Sequence, residues 1–388
     1  MTEVRIGLIG VGWMGRAHAT AYRAVPMFFG TEPAVPVLEI IADATSELAK
    51  AGAEGVGCSR WTADWREVVT DPEVDVVDIT TPNNTHAEIA IAAANAGKHV
   101  YCEKPIALNS GEGRAMVEAV EAAGVVSLVG FNFLKNPVQG LARQLVEGGD
   151  IGEIMLFRGA CDEDFGTDPD LPFTWRYEKD MAGSGALADM ASHTLSLSQM
   201  LVGDIVEVCG KTTICVDQRP VPEPGSGTGH LAKAGTTKRA VETDDIVQFL
   251  VTYANGATGV IEASRVATGR KQGLDYEIHG TKGALIFTQE RMNELQVYRH
   301  TDHERERGFK TVFAGPEHPN YEPFNPAAGM QIGYNDLKTI EAHDLVVAIA
   351  TGRPAEPDLR FGLKIMQTID AVLKSAEERR WVRTDEFA

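Results

Sequence analysis

The chain opens with an apolar strand, a glycine-rich turn and a helix in immediate succession. Val4–Ile9 is predicted to be a buried strand, Gly10-Val11-Gly12-Trp13-Met14-Gly15 follows at once, and Arg16–Tyr22 has helical character. Glycines at this spacing permit a tight turn and a close backbone approach, and the free N–H groups of the next helix suit a pyrophosphate. This order predicts a dinucleotide-binding fold whose cofactor contacts are Gly10, Gly12, Trp13, Met14 and Gly15.

The second predicted strand, Val37–Ala42, ends at an acidic residue, Asp43. A carboxylate there can accept hydrogen bonds from both hydroxyls of an adenosine ribose and would repel a 2′-phosphate. No arginine occurs in the next three residues, so the sequence favours NAD over NADP. Asp43 lies further from the glycine turn than the usual spacing of about 20 residues. We assign the excess to a loop over Met27–Pro36, apolar enough to be a lid or a contact surface.

Strands and helices alternate through the first third of the chain. Predicted strands at 75–80, 99–102 and 125–130 are separated by predicted helices at 87–96 and 110–123. Such alternation gives parallel strands joined by right-handed crossovers. The first domain is expected to span residues 1–133.

The remaining residues, 134–388, contain strands of a different kind. Many of them carry a polar face, and Asn255-Gly256 is expected to join two of them as a hairpin. A mostly antiparallel sheet with one solvated or partner-facing side follows. Residues 219–243, rich in Pro, Gly and Thr, are expected to form a long mobile loop. The chain as a whole is therefore predicted to be an α/β protein.

Composition excludes several classes of partner. The 55 acidic residues outnumber the 36 basic ones and give a net charge of −19, which repels nucleic acid and anionic membrane surfaces. The five cysteines include no Cys-x-x-Cys pair for structural zinc and suit a reducing compartment. The start of the chain lacks the pattern of a signal peptide, and no apolar run is long enough for a membrane span. We expect a cytoplasmic protein.

A carboxylate, an ammonium and a proline follow the predicted strand His99–Cys102, as Glu103-Lys104-Pro105. Ligands of open α/β sheets bind outside the carboxyl ends of the strands, so Lys104 is expected where cofactor and substrate meet. Glu103 is the group expected to position it, and a cis bond before Pro105 would hold the turn. The alternative for such a tripeptide is a surface salt bridge at a turn.

A second candidate group lies on a helix predicted to begin near Ala186, where Asp189 and His193 stand four residues apart on one face. A carboxylate beside an imidazole sets its tautomer and raises its basicity, as a general base for an alcohol requires. The alternative is a partly buried helical pair or a capping aspartate. Two such groups could also ligate a metal, but no third ligand has a matching spacing, so no metal is expected.

Two further features, the Trp175-Arg176 pair and His86, have two interpretations each. Trp175-Arg176 could stack on a sugar or nicotinamide and bind an oxygen, or Trp175 could anchor the core of the second domain. His86, at the start of a predicted helix, could cap it or contact the cofactor.

Several of these motifs occur together and in order, and the chain thereby resembles the Gfo/Idh/MocA oxidoreductases, the glucose–fructose oxidoreductase and inositol dehydrogenase family. The likeness rests on the glycine turn, Thr81-Pro82 through His86, Gly97 through Pro105, Trp175-Arg176 and Gly185 through His193. It implies a Rossmann domain followed by an α/β domain with a large open sheet that often serves oligomerisation. We therefore expect a homo-oligomer, a dimer or a tetramer.

The resemblance also implies an activity and a set of site residues. Segments 24–29, 308–312 and 333–344 place the chain near members that oxidise a pyranose or anhydrosugar with NAD, typically at C3. Alternatives are a cyclitol dehydrogenase, a keto-sugar reductase, or a non-enzymatic NAD(H)-binding redox sensor. The implied catalytic residues are Lys104, Asp189 and His193. The implied cofactor contacts beyond the glycine turn are Asp43, Thr81, Pro82, Asn84, His86, Glu103, Lys104, Asn132, Trp175 and Arg176. The implied sugar contacts are Lys104, Lys135, Glu163, Arg176, Asp189, His193 and Tyr334.

Overall fold

The computed structural model describes residues 2–223, 225, 226, 229 and 232–388, and these form two compact units. The first comprises the residues up to 137 together with 315–363, and the second comprises the described residues of 138–314 together with 364–388. The sequence placed the boundary at 133/134, four residues from the observed one. It also assigned 315–363 to the second domain, whereas this segment packs within the first unit.

The first unit is built on a six-stranded sheet with the order β3-β2-β1-β4-β5-β6, in which every neighbouring pair is parallel. This confirms the predicted parallel α/β domain. The strands Val76–Ile79, His99–Cys102 and Ser127–Val129 are short and almost wholly buried, as expected when helices cover both faces. The six strands of the sheet are β1 (Glu3–Ile9), β2 (Val35–Ala42), β3 (Trp61–Thr62), β4 (Val76–Ile79), β5 (His99–Cys102) and β6 (Ser127–Val129).

Ten α-helices occur in the described part of the chain, and most begin or end where the sequence has a capping residue. Asp64 and Asn109 accept hydrogen bonds from the backbone of the helices that follow them, and Gly57 and Gly124 end helices in the left-handed conformation. The helices are α1 (Trp13–Phe29), α2 (Ser46–Val56), α3 (Trp65–Thr70), α4 (His86–Asn95), α5 (Ser110–Ala123), α6 (Pro137–Glu147), α7 (Lys179–Ala182), α8 (Ser192–Leu201), α9 (Tyr334–Thr351) and α10 (Leu359–Glu378).

Helix α9 belongs to the first unit because its apolar face completes the core of that unit. Leu345 and Val346 are fully buried in one cluster with Tyr22 and Val25 of α1. Exposing these side chains would cost about 1.5–3 kcal/mol each, so a helix late in the sequence is fixed to the first domain.

The second unit is built on a nine-stranded sheet with the order β16-β15-β14-β13-β7-β12-β11-β8-β17. Only β7 and β12 run parallel to each other, so the sheet is mostly antiparallel, as predicted. Its strands are β7 (Ile154–Asp162), β8 (Ile205–Thr213), β11 (Ile246–Tyr253), β12 (Thr258–Ser264), β13 (Gly273–Gly280), β14 (Gly283–Thr288), β15 (Glu294–Arg299), β16 (Lys310–Phe313) and β17 (Val382–Arg383), while β9 (Gln218–Pro222) and β10 (Ala234–Ala240) form a separate pair.

Alternation along the central strands gives this sheet one buried and one exposed face. In β11, Phe249 and Val251 are buried, whereas Gln248 and Leu250 are exposed. The hairpin predicted at Asn255-Gly256 is present, since β11 and β12 are antiparallel and their pairing reaches Thr252 and Thr258 on either side of the turn. This confirms a sheet with one uncovered side.

Two predicted loops are shorter than expected. Helix α1 continues through Pro26 to Phe29, so the loop predicted over 27–36 is reduced to the residues between Phe29 and Val35. The rings of Phe28 and Phe29 pack against Phe324 at 4.7 and 5.6 Å, which stabilises that last helical turn.

The segment 219–243, expected as a loop, instead contains most of the antiparallel pair β9 and β10. Arg219 fixes β9, because its buried guanidinium donates to the carbonyl oxygens of Gly166 and Asp168. Pro224, Gly227, Thr228, His230 and Leu231 lie outside the described residues. Among the described helices, none combines the length and the apolar character that a membrane crossing needs.

Candidate active site

The three glycines of the first turn differ in what surrounds them. Gly10 has a φ of +92°, and a Cβ there would lie 2.9 Å from the carbonyl oxygen of Thr80. A Cβ at Gly15 would overlap the carbonyl oxygen of Gly10, whereas a Cβ at Gly12 would meet nothing within 4 Å. Gly10 and Gly15 thus serve the fold. Gly12, directly before α1, leaves open space at the helix N-terminus where a pyrophosphate fits.

Asp43 lies beside that turn at the carboxyl end of β2. One carboxylate oxygen accepts the backbone N–H of Val11 at 2.9 Å, and the other accepts that of Ala44 at 2.7 Å. Each oxygen keeps a further lone pair, so the carboxylate can still accept hydrogen bonds from ribose hydroxyls, and that contact stays a prediction. Its charge opposes a 2′-phosphate.

Two further observations fit a cofactor at this end of the sheet. The side-chain nitrogen of Asn132, just after β6, is buried and has no hydrogen-bond partner among the described residues. A buried donor without a partner is costly, and a ligand carbonyl would satisfy it. Trp13 is 71% exposed at the start of α1, and its ring lies 5.5 Å from that of Tyr334.

Tyr334 was predicted as a sugar contact, and the structure places it at the start of α9 beside the glycine turn. Its hydroxyl is 3.6 Å from Sδ of Met14. The first unit therefore brings Trp13, Met14 and Tyr334 together, although they are more than 300 residues apart in sequence. Contact of Tyr334 with a sugar stays a prediction.

The turn after β4 contains Thr81, Pro82 and Asn84 and leads into α4 at His86. The ring of His86 is buried, with Nδ1 2.9 Å from the carbonyl oxygen of Pro105 and Nε2 2.9 Å from that of Thr81. Burial lowers the pKa of this imidazole, although both carbonyls oppose the shift. His86 thus joins the turn after β4 to the turn after β5. Its predicted contact with the cofactor stays a prediction.

Lys104 follows β5, and its peptide bond to Pro105 is cis, as the sequence suggested. The backbone N–H of Lys104 donates to the Glu103 carboxylate at 3.1 Å. The other oxygen of that carboxylate accepts a hydrogen bond from Nζ of Lys338 at 2.5 Å and lies 2.9 Å from Nε2 of His18. Glu103 is therefore engaged behind Lys104, which supports its positioning role; its contact with a cofactor stays a prediction.

Asp189 and His193 lie in the second unit, where the helix that carries them has an unusual start. Leu187–Ala191 is π-helical and runs directly into α8. Such single π-turns are uncommon and occur often at functional sites. Asp189 accepts from Nε of Arg176 at 3.3 Å, and the guanidinium of Arg176 lies 4.5 Å from the ring centre of Trp175. The structure thus brings three of the predicted site residues, Trp175, Arg176 and Asp189, together.

The start of this segment is held by Asp244, which sequence reasoning missed. Its carboxylate accepts the N–H groups of Gly185 at 2.7 Å and Leu187 at 2.8 Å, and its carbonyl accepts that of Ala186 at 2.9 Å. A Cβ at Gly185 would overlap this carbonyl. The available signal was the run Thr243-Asp244-Asp245 directly before a strand, because buried carboxylates require such partners.

Neighbouring groups continue this support. Thr243 donates its hydroxyl to the carbonyl of Arg176 at 2.8 Å, and Arg265 forms a buried ion pair with Asp245 at 2.7 Å. The guanidinium of Arg265 lies 4.6 Å from the ring centre of Tyr177, next to Arg176 in sequence. The segment with Asp189 and the turn with Arg176 are therefore fixed by one buried polar cluster.

Two predicted sugar contacts have protein partners of their own. Nζ of Lys135 lies 2.6 Å from the Asp344 carboxylate and donates to the carbonyl of Glu356. The backbone of Glu163 pairs with Ser264 at the end of the sheet. Their contacts with a sugar stay predictions. Among the described residues, no group of three or more His, Cys, Asp or Glu side chains could hold a metal ion.

Comparison with known proteins gives matches to both units. Residues 4–131 match the description "Oxidoreductase family, NAD-binding Rossmann fold", and residues 141–286 match the "GFO/IDH/MocA C-terminal domain". The chain is 43% identical over 383 residues, 98% of each chain, to a levoglucosan dehydrogenase of Pseudarthrobacter phenanthrenivorans. It is 26% identical over 385 residues, 99% of each chain, to a myo-inositol 2-dehydrogenase of Thermotoga maritima.

Among solved structures, a levoglucosan dehydrogenase in complex with NADH and levoglucosan superposes with a TM-score of 0.93. The two chains are 42% identical, and the match covers 99% of this chain and 100% of the other.

Proposed function

Because the chain belongs to the Gfo/Idh/MocA oxidoreductases and carries their NAD-binding domain, we propose that it oxidises a ring hydroxyl of a pyranose or anhydrosugar such as levoglucosan, at C3, to a ketone. The observation that carries this proposal is the agreement with levoglucosan dehydrogenase over the whole chain. The first unit supplies the NAD site, and Asp43 selects NAD over NADP.

In the proposed chemistry, different groups act on the substrate hydroxyl and on the carbon that bears it. NAD, when bound, accepts the hydride that leaves the ring carbon. His193 takes the hydroxyl proton as general base, Asp189 orients His193, and the ammonium of Lys104 stabilises the oxygen as negative charge develops on it. Proton transfer of this kind contributes about 10²–10⁴ in rate. Arg176, which pairs with Asp189, binds a further oxygen of the sugar in this proposal.

The test is the rate of NADH formation with levoglucosan, glucose, inositols and simple glycosides. We expect the highest kcat/KM with levoglucosan, and a loss of about 10²-fold or more in Lys104→Ala and His193→Ala. Lys50→Ala, an exposed lysine on α2, is the matched control and should keep full activity.

Other outcomes of this panel would replace the proposal. Preference for an inositol would favour a cyclitol dehydrogenase, which the match to the inositol dehydrogenase of Thermotoga maritima makes the second candidate. Oxidation of NADH by a keto-sugar alone would favour a reductase. NAD binding without turnover of any compound would favour a redox sensor.

The same proposal includes assembly and location. The exposed face of the second unit's sheet carries Leu250 and Val260, which are 48% and 38% exposed and adjacent on paired strands. An uncovered sheet face of this kind is suited to a second copy of the chain, as a dimer or a tetramer. All five cysteines are free, in agreement with a cytoplasmic location.

A further inference from the structure

A buried charged cluster lies behind Lys104 in the first unit, and Glu103 belongs to it. It is centred on His18 of α1, which is 1% exposed. Nδ1 of His18 lies 2.9 Å from the Asp78 carboxylate, and Nε2 lies 2.9 Å from the Glu103 carboxylate. The ring is stacked on Tyr101 with 4.7 Å between centroids.

The contacts of His18 determine its protonation state. A neutral imidazole has one N–H donor and one acceptor nitrogen, whereas a carboxylate only accepts. The ring can therefore donate a hydrogen bond to each of the two carboxylates only when both of its nitrogens are protonated. Burial alone would favour the neutral ring, but the charge of Asp78 and the hydrogen bonds to Asp78 and Glu103 outweigh burial and the repulsion from Lys338, so the pKa of His18 is raised.

The rest of the cluster agrees with a positive ring. Nζ of Lys338 on α9 is 1% exposed and pairs with Glu103 at 2.5 Å and with Glu341 at 2.9 Å. The carboxylates of Glu103 and Glu341 share this lysine, whereas that of Asp78 faces His18, so the imidazolium supplies the second cation of the cluster.

Tyrosine hydroxyls complete the surroundings of these carboxylates. Tyr22 donates to Asp78 at 2.7 Å, and Tyr101 donates to Glu341.

Burial would raise the pKa of the Glu103 carboxyl, but Lys338 and His18 hold it well below its usual range. Tyr334, on the same helix as Lys338, has a pKa raised by burial and is therefore neutral.

We propose that His18 is a positioning residue for the reaction: as an imidazolium between Asp78 and Glu103, it fixes the Glu103 carboxylate under the backbone N–H of Lys104. This inference rests on the proposed role of Lys104. The Glu103 carboxylate packs closely against Gly130, since a Cβ at that position would lie 2.5 Å from its oxygen. Loss of the charged ring would therefore loosen the turn at Lys104.

The protonation state is tested first, on the whole unmodified protein. Nitrogen-15 NMR of the histidine rings should show two protonated nitrogens on His18 at about pH 8, above the ordinary histidine pKa of about 6.5. Asp78→Asn keeps the shape of the side chain and removes one carboxylate, so the ring should lose a proton at that pH. A neutral His18 in the unmodified protein would overturn the proposal, and this measurement does not depend on whether a variant folds.

The effect on turnover is tested with the same variant. We expect kcat of Asp78→Asn to fall about tenfold at pH 8 with little change in KM for NAD, because a charge-assisted hydrogen bond on Glu103 becomes a neutral one. In this variant, kcat should recover as the pH is lowered, because His18 regains its proton. A merely structural role would not produce this pH dependence of kcat. Asp75→Asn, in the same unit and paired with Arg5, is the control and should show neither effect.

The outcomes separate the two proposals. Full turnover in Asp78→Asn at every pH, with Lys104→Ala inactive, would overturn the role of His18 alone. Full turnover in Lys104→Ala would overturn the proposed function, whatever the NMR spectrum of His18 shows.

Discussion

Gly12 and Gly15 belong to one turn but serve different purposes at the scale of single residues. Because a Cβ at position 12 meets no atom within 4 Å, Gly12→Ala should fold with an unchanged melting temperature. The methyl group would occupy the space of the pyrophosphate, so we expect KM for NAD to rise about tenfold or more. Steady-state kinetics with varied NAD, together with thermal unfolding of the protein without cofactor, measure both quantities.

Gly15→Ala is the matched comparison. Its Cβ would overlap the carbonyl of Gly10, so the main effect of this substitution should be a lower stability of the fold rather than a higher KM for NAD. Equal KM values for NAD in Gly12→Ala and the unmodified protein would show that the turn does not bind the pyrophosphate as proposed.

At the scale of elements, the π-helical segment before α8 depends on Asp244. Asp244→Asn replaces one acceptor by an NH₂ group that faces the N–H of Gly185 or Leu187, so the start of the segment must shift. We expect a loss of about 1–3 kcal/mol in the free energy of unfolding and about a tenfold or greater fall in kcat, with KM for NAD little changed. Urea unfolding and kinetics below the melting temperature measure these changes.

Asp217→Asn, an exposed aspartate of the same unit, serves as the control. Unchanged kcat in a destabilised but folded Asp244→Asn would mean that Asp244 supports the fold and not the placement of His193.

Asp162, at the end of strand β7, leads to a prediction about how the stability of the protein depends on pH. Burial, with added repulsion from Glu262 and Asp275, raises the pKa of Asp162 to about 6. A folded state that holds its proton more tightly than the unfolded chain loses stability as the pH rises from about 4 to about 6. Asp162→Asn removes this loss and should stabilise the protein at pH 7 by about 1 kcal/mol, a small value because the carboxyl is only partly buried. At pH 4 the substitution should not stabilise the protein.

Asp164, two residues further on, provides the opposite sign. Its hydrogen bond with Lys271 lowers the pKa of its carboxyl, so its contribution is present at neutral pH and is lost on acidification. Asp164→Asn should therefore not stabilise the protein at pH 7. Equal shifts for both variants at both pH values would contradict the account of Asp162.

At the scale of the whole molecule, the exposed face of the second unit's sheet predicts self-association. Leu250→Lys places a charge on that face and should shift the protein towards monomer in sedimentation velocity. Leu48→Lys on α2 is the control, because Leu48 is 47% exposed and Leu250 is 48% exposed. A monomeric unmodified protein, or an unchanged oligomer in Leu250→Lys, would exclude this face as the interface.

Local patterns predicted much of this molecule, and long-range packing accounts for what they missed. The local sequence identified α4 and α5, and the strand, turn and helix at the start identified the NAD-binding fold, because each depends on neighbouring residues. Lys338 and Glu341 could not be placed behind Glu103 from the sequence, since they reach it only when α9 packs into the first unit. Asp244 was missed because its partners lie almost 60 residues earlier.

The central claim is that this protein moves a hydride from C3 of a sugar to NAD with the help of Lys104 and His193. The most direct measurement is deuterium transfer from levoglucosan labelled at C3. We predict deuterium at C4 of the nicotinamide in the NADH formed, slower turnover than with unlabelled sugar, and rates lower by about 10²-fold or more in Lys104→Ala and His193→Ala. NADH without deuterium, or undiminished transfer in either variant, would contradict the claim.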